Sequence, residues 1–185
     1  VRDARIDFGG DDDRLRLVFT CCHPALAPET RVALTLNAVS GLDAAAIARA
    51  FLVDERAMAQ RLTRAKRKIR DAGIPFCVPP FGQLGERLPD VLKAVELVFN
   101  EGHTAARGAA LDAPDLADEG VRLARSLHAM LPGETEVSGL LALLLDTDAR
   151  RAARVDASGG LVRLPDQDRS LWDRDKVAAA RKLLA

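Results

Sequence analysis

Met58, Leu62, Ala65 and Ile69 recur at i, i+4, i+7 and i+11, which is the spacing of one face of an α-helix. Gln60, Thr63, Arg64 and Arg67 fall on the opposite side of the same helix. No acid occurs between Arg56 and Arg70, while Arg56, Arg61, Arg64, Lys66, Arg67, Lys68 and Arg70 all lie there. The whole chain balances 27 Lys+Arg against 27 Asp+Glu, so this positive charge is local rather than general. Such a helix must bury one side and present a basic surface on the other, as a helix that meets a nucleic-acid backbone does.

The residues before it complete a pattern. Asp43 is placed to cap a short helix whose buried side is Ile47, Ala48 and Phe51. Asp54 is placed to cap the basic helix, Gly73 to close it, and Pro75 to prevent its continuation. Small Ala48 permits close approach of the two helices, and Val53 and Met58 are expected to fill the elbow between them. Two short helices, a packed elbow and an outward face able to enter a major groove make a helix-turn-helix. The alternative is a helical hairpin whose basic side is merely solvated.

Around this motif the chain reads as all-α. It is 48% hydrophobic and 29% charged but only 4% aromatic, with no Tyr, a composition that suits helices better than strands. Leu15, Val18 and Phe19 fit a short helix over Arg14 to Cys22. Pro28 can open the next, with Val32, Leu34, Leu36 and Val39 as its apolar face and Gly41 at its end. Further on, Leu88, Leu92, Val95 and Phe99 form one stripe, and Leu116, Leu123, Leu127 and Leu131 another. Leu140, Leu141, Leu144 and Leu145 mark a strongly apolar helix. The turn-rich stretch from Asp156 to Arg169 suggests a short hairpin around Leu161 to Leu164, followed by a final helix from Arg174 to Leu184. The domain plan is a Gly- and Asp-rich linker over 1–13, a DNA-binding domain over 14–74, a Pro- and Gly-rich linker over 75–85, and a helical domain over 86–185. The chain opens on Val1 rather than Met and stops inside a helical pattern. It therefore reads as a fragment whose second domain continues past Ala185. No apolar run approaches the roughly 20 residues of a membrane span, and no secretory signal is visible. Together with the three cysteines, Cys21, Cys22 and Cys77, this favours a reduced cytoplasmic setting.

The run IARAF-LVD-ERAMAQRLTRAKRKI resembles region four of bacterial extracytoplasmic-function sigma factors. Its recognition helix ends in an R-x-x-RA-[RK] pattern, matched here by Arg61, Arg64, Ala65 and Lys66. The segments DDRLRLVFTCCHPALAPETRVALTLNAVSGL, RDAGIPF and VFNEGH resemble a branch of that family with a helical C-terminal extension. The resemblance implies promoter recognition. Region four would dock on the β-subunit flap of RNA polymerase and read the minus-35 element, while region two, absent here, would engage the β′ subunit and the other element. It places Ala59, Gln60 and Thr63 toward bases, and Arg61 and Arg64 toward phosphates or bases. Gln60 is suited to adenine and Thr63 to a thymine methyl. Arg56, Lys66, Arg67 and Lys68 join the DNA-binding set, the three at 66–68 through backbone phosphates. Two departures stand out. Ala59 replaces a larger polar residue, and Leu52 stands where many elbows carry Gly. The extension is expected to regulate the protein in cis, to bind a partner, or simply to pack. Two other readings remain: a dimeric helix-turn-helix regulator independent of polymerase, and a helical protein-interaction module.

Other residues invite chemistry without completing it. Cys21, Cys22 and His23 lack a fourth ligand at zinc spacing, with Cys77, His103 and His128 scattered along the chain, so buried thiols and no metal are expected. Asn100, Glu101 and His103 have no nucleophile or phosphate-binding loop beside them, and a structural polar turn is expected. Asp146 and Asp148 sit near a helix C-terminus, an unfavourable place for acids, and are expected to pair with Arg150, Arg151 or Arg154. Trp172 reads as a core anchor. No cofactor and no catalytic residue is expected.

Overall fold

In the computed structural model, residues 12–105 and 114–185 are described. The expected 1–13 linker lies outside them except for Asp12 and Asp13, with which the first helix opens. The described residues form eight α-helices, with three short 3-10 turns and one isolated antiparallel bridge. The fold is all-α. The chain divides into two compact units at Ala94 and Val95.

The first unit contains α1 (Asp12–Cys21), α2 (Pro28–Val39), α3 (Ala44–Phe51) and α4 (Glu55–Asp71). Helix α1 packs on α2, and α2 and α3 both pack on α4. Pro28 occupies the first turn of α2, where its missing N–H costs nothing. Val18, Phe19, Leu34, Ile47 and Met58 form the centre of this core. Cys21 and Cys22 are buried among them, and burial pushes both thiols up to about 12. Arg31 ties the unit together: its guanidinium donates to the carbonyls of Leu26 and Pro24 and pairs with Asp90.

Helix α5 runs from Phe81 to Ala105 and contains Pro89. It begins inside the Pro- and Gly-rich stretch 75–85 and carries buried residues in both units, among them Leu84, Leu88 and Val91 before the division and Val95, Val98 and Phe99 after it.

The second unit continues with α6 (Pro114–Met130), α7 (Thr135–Ala149) and α8 (Arg174–Leu183). Helix α7 packs on both α6 and α8. Leu123, Leu127, Leu144 and Leu145 supply the core. The Asp148 carboxylate is fully enclosed and joins elements far apart in sequence: it accepts from Arg151 and, at 2.6 Å, from Lys176 on α8. Arg151 also reaches Asp118 on α6 at 2.7 Å. Asp146 pairs with Arg150 at 3.6 Å. The acids at the unfavourable end of α7 are thus neutralised by cations.

Two local expectations change. The hairpin expected at Leu161 to Leu164 is a single bridge between Val155 and Leu161. Asp156 closes the loop between them by accepting from the N–H groups of Ser158 and Gly160, both at 2.8 Å. Pairing cannot extend to Leu164, because Leu164–Asp166 is a 3-10 turn with Pro165 in its first positions. Trp172 is half-buried rather than enclosed, with the Arg169 guanidinium 5.6 Å from its ring centre. Among the described residues no helix is long and apolar enough to cross a membrane.

Candidate nucleic-acid interface

The basic helix α4 is held at both ends by its own sequence. The Asp54 side chain accepts from the Ala57 N–H at 2.9 Å and satisfies one of the free donors at the N-terminus. At the other end Gly73 takes φ +60, and the Ile74 N–H returns to the Ile69 carbonyl at 3.0 Å. Helix α3 is capped in the same way, Asp43 accepting from Ala46 at 2.7 Å.

The elbow between α3 and α4 rests on Leu52. It is the one non-glycine residue with positive φ among those described, at +53. Its N–H and that of Val53 both bond back to Ala48. This turn leaves Leu52 93% exposed and Val53 37% exposed. Of the two expected elbow fillers, Met58 is fully enclosed and Val53 is 37% exposed. Met58, one turn into α4, lies on the inner stripe.

That stripe is Met58, Leu62 and Ala65, with relative exposures of 0%, 5% and 3%, and half-buried Ile69 beyond. At 3.6 residues per turn, Arg56, Ala59, Gln60, Thr63 and Arg67 align on the opposite side. Arg64 and Lys68 flank them on one edge and Lys66 on the other. All eight are exposed. Arg64, Arg67, Lys68, Asp71 and Ala72 line a shallow open concavity at the far end of the helix.

Three side chains of α4 are constrained by contacts within the fold. Arg61 is half-buried, and its guanidinium lies 3.5 Å from the Glu29 carboxylate of α2. Thr63 donates its hydroxyl to the Ala59 carbonyl at 2.9 Å, and Arg64 donates Nε to the Gln60 carbonyl at 3.3 Å. Glu29 is distant in sequence, so its pairing with Arg61 carries no local signal. The Thr63 bond is the ordinary i to i−4 habit of a helical threonine and is foreseeable from residue type.

The other candidate groups stay apart. Among the described residues no cluster of three or more His, Cys, Asp and Glu is assembled. His23 accepts from the Ala25 N–H through Nδ1. His103 stacks on Phe99 with ring centres 5.2 Å apart, and His128 shares a hydrogen bond with Ser138.

Residues 87–185 match the model of a family of unknown function, DUF6596, over more than half of the chain. The chain belongs to this DUF6596 family. Residues 16–69 match sigma-70 region 4, so the DUF6596 segment here follows a region 4 domain. Region 4 is a DNA-binding transcription-factor domain and not an enzyme class. The match spans α1 to α4 and includes every residue of the exposed face named above. A curated relative, "Uncharacterized protein R00370" of Rhizobium meliloti (strain 1021), is 49% identical over 173 residues. The alignment covers 94% of this chain and 41% of that relative, so the chain spans well under half of the relative's length. No solved structure matches.

Proposed function

We propose that this chain is the promoter-reading part of an extracytoplasmic-function sigma factor. Helix α4 enters the major groove at the minus-35 element, the region 4 domain docks on the polymerase β flap, and polymerase supplies the chemistry. The observation that carries this reading is the division of α4 into an enclosed apolar stripe and an exposed basic face of eight residues within a region 4 match. Gln60 is free to pair with an adenine edge. Thr63, its hydroxyl already committed to Ala59, offers its methyl group to a thymine methyl. Arg56, Lys66, Arg67 and Lys68 contact phosphates and fix the register of the helix without reading sequence. Arg61 has a weaker claim on DNA than its neighbours, since Glu29 competes for it.

The test uses the full-length protein with polymerase. Arg64→Ala is expected to lower promoter affinity and promoter-driven transcription by about tenfold, the loss of one contact worth ~1–3 kcal/mol. Unchanged affinity and output would overturn the reading. Capture of the β flap by the full-length protein separates it from a free-standing regulator, which would instead dimerise on two half-sites about one helical turn apart.

A further inference from the structure

Arg61, Arg64 and Lys68 recur at i, i+3 and i+7 and form a row along one edge of α4. Helix α2 packs on α4 and brings Glu29, in its first turn, to the Arg61 end of this row. Of the seven cations on α4, Arg61 alone among the described residues meets an acid from another helix. Arg70 lies 3.9 Å from its neighbour Asp71. Arg56, Arg64, Lys66, Arg67 and Lys68 have no acid within ion-pair distance among the described residues. The contact differs from those that hold the second unit together, in which Arg151 donates hydrogen bonds to Asp148 and Asp118. The Arg61 guanidinium is 3.5 Å from the Glu29 carboxylate, with the two side chains 30% and 78% exposed. An exposed pair of this kind is weak, so a phosphate can compete for the guanidinium.

Glu29 changes the charge that α4 offers to DNA. A Lys or Arg that neutralises a phosphate releases a condensed counterion, which is the source of most sequence-independent affinity. A guanidinium beside a carboxylate is already neutralised. To meet a phosphate, Arg61 must give up its attraction to Glu29, and the Glu29 charge itself repels the backbone. These two costs offset the contact that Arg61 would otherwise add. Phosphate contacts carry no sequence information, so the affinity that is offset is affinity for DNA of any sequence.

We propose that Glu29 is an affinity-limiting residue of the DNA interface: by neutralising Arg61 it removes one phosphate contact from the complex. The inference rests on the DNA-reading role proposed for α4. It adds to that interface a residue of α2, outside the helix-turn-helix, that opposes binding.

The test is binding of the full-length protein with polymerase to promoter DNA and to an unrelated duplex of the same length, each across a salt series. Glu29→Gln keeps the size of the side chain and removes its charge. It is expected to tighten both complexes about threefold near physiological salt. It should also steepen the log–log salt dependence of each by about 0.9, the value of one phosphate. Arg61→Ala alone is expected to change affinity by less than about twofold, and Glu29→Gln added to Arg61→Ala to bring no further tightening. Equal tightening in the Arg61→Ala background would overturn the proposal, because Glu29 would then act through the general field rather than through Arg61. Weaker binding by Glu29→Gln, or unchanged affinity and slope, would overturn it too. Arg64→Ala, measured alongside, separates the two levels of the argument. If it weakens binding while Glu29→Gln fails to tighten it, this inference alone falls. If Arg64→Ala binds as the wild type does, the role of α4 falls and this inference with it.

Discussion

Leu52 holds φ at +53 with its side chain almost entirely in water. An L-residue in this region carries roughly 1–2 kcal/mol of steric cost, and exposure returns nothing to it. Glycine removes the clash but loses more freedom on folding. Leu52→Gly is therefore expected to stabilise the first unit by about 0.5–1 kcal/mol, with DNA affinity unchanged, as chemical denaturation and binding would show. A loss of stability would mean that the Leu52 side chain has a role the turn does not explain. His103 presents a second residue-scale case. Burial, then the Arg154 guanidinium, lowers its pKa to about 4. In the unfolded chain it titrates near its ordinary 6.5. Between these values the unfolded state takes up a proton that the folded state refuses. Stability is then complete above pH ~6.5 and declines as pH falls toward 4. Denaturation of the second unit across this range should show that decline, and His103→Gln should flatten it.

Helix packing in the second unit turns on one glycine. A Cβ placed on Gly120 of α6 would stand 2.6 Å from Phe99 Cβ and 2.8 Å from Phe99 Cα on α5. The obstruction includes backbone, so no rotamer change relieves it. Gly120→Ala is expected to cost about 1–3 kcal/mol as the helices are forced apart, measured by thermal or denaturant unfolding. An unchanged midpoint would show that the approach of α5 and α6 is looser than described. Nothing near Gly120 in the sequence announces this contact, since Phe99 lies in another helix. The same holds for Asp148, whose partner Lys176 sits on α8. By contrast, the helices themselves were legible. The stripe at Met58, Leu62, Ala65 and Ile69 follows from period alone, and Gly41 and Gly73 take the positive φ expected of helix-ending glycines, at +67 and +60.

Across the whole molecule, exposure on α4 was readable because helical period decides it once the inner stripe is known. What was not readable depends on contacts through space: the diversion of Arg61 to Glu29 and the latch between Arg31 and Asp90. The exposure of Val155, Leu161, Leu164 and Leu171 lay hidden for a related reason, because composition locates apolar residues without saying which of them the fold covers. The central claim remains that the outer face of α4 reads DNA in the major groove. Gln60 tests it most directly, being exposed and proposed to meet a base edge. Binding of full-length protein with polymerase should be measured on promoter DNA and on variants changed at each base pair of the minus-35 element. Gln60→Ala is predicted to abolish discrimination at a single base pair, worth about 1–3 kcal/mol, and to leave the other positions as they were. Discrimination retained at every position would contradict the account.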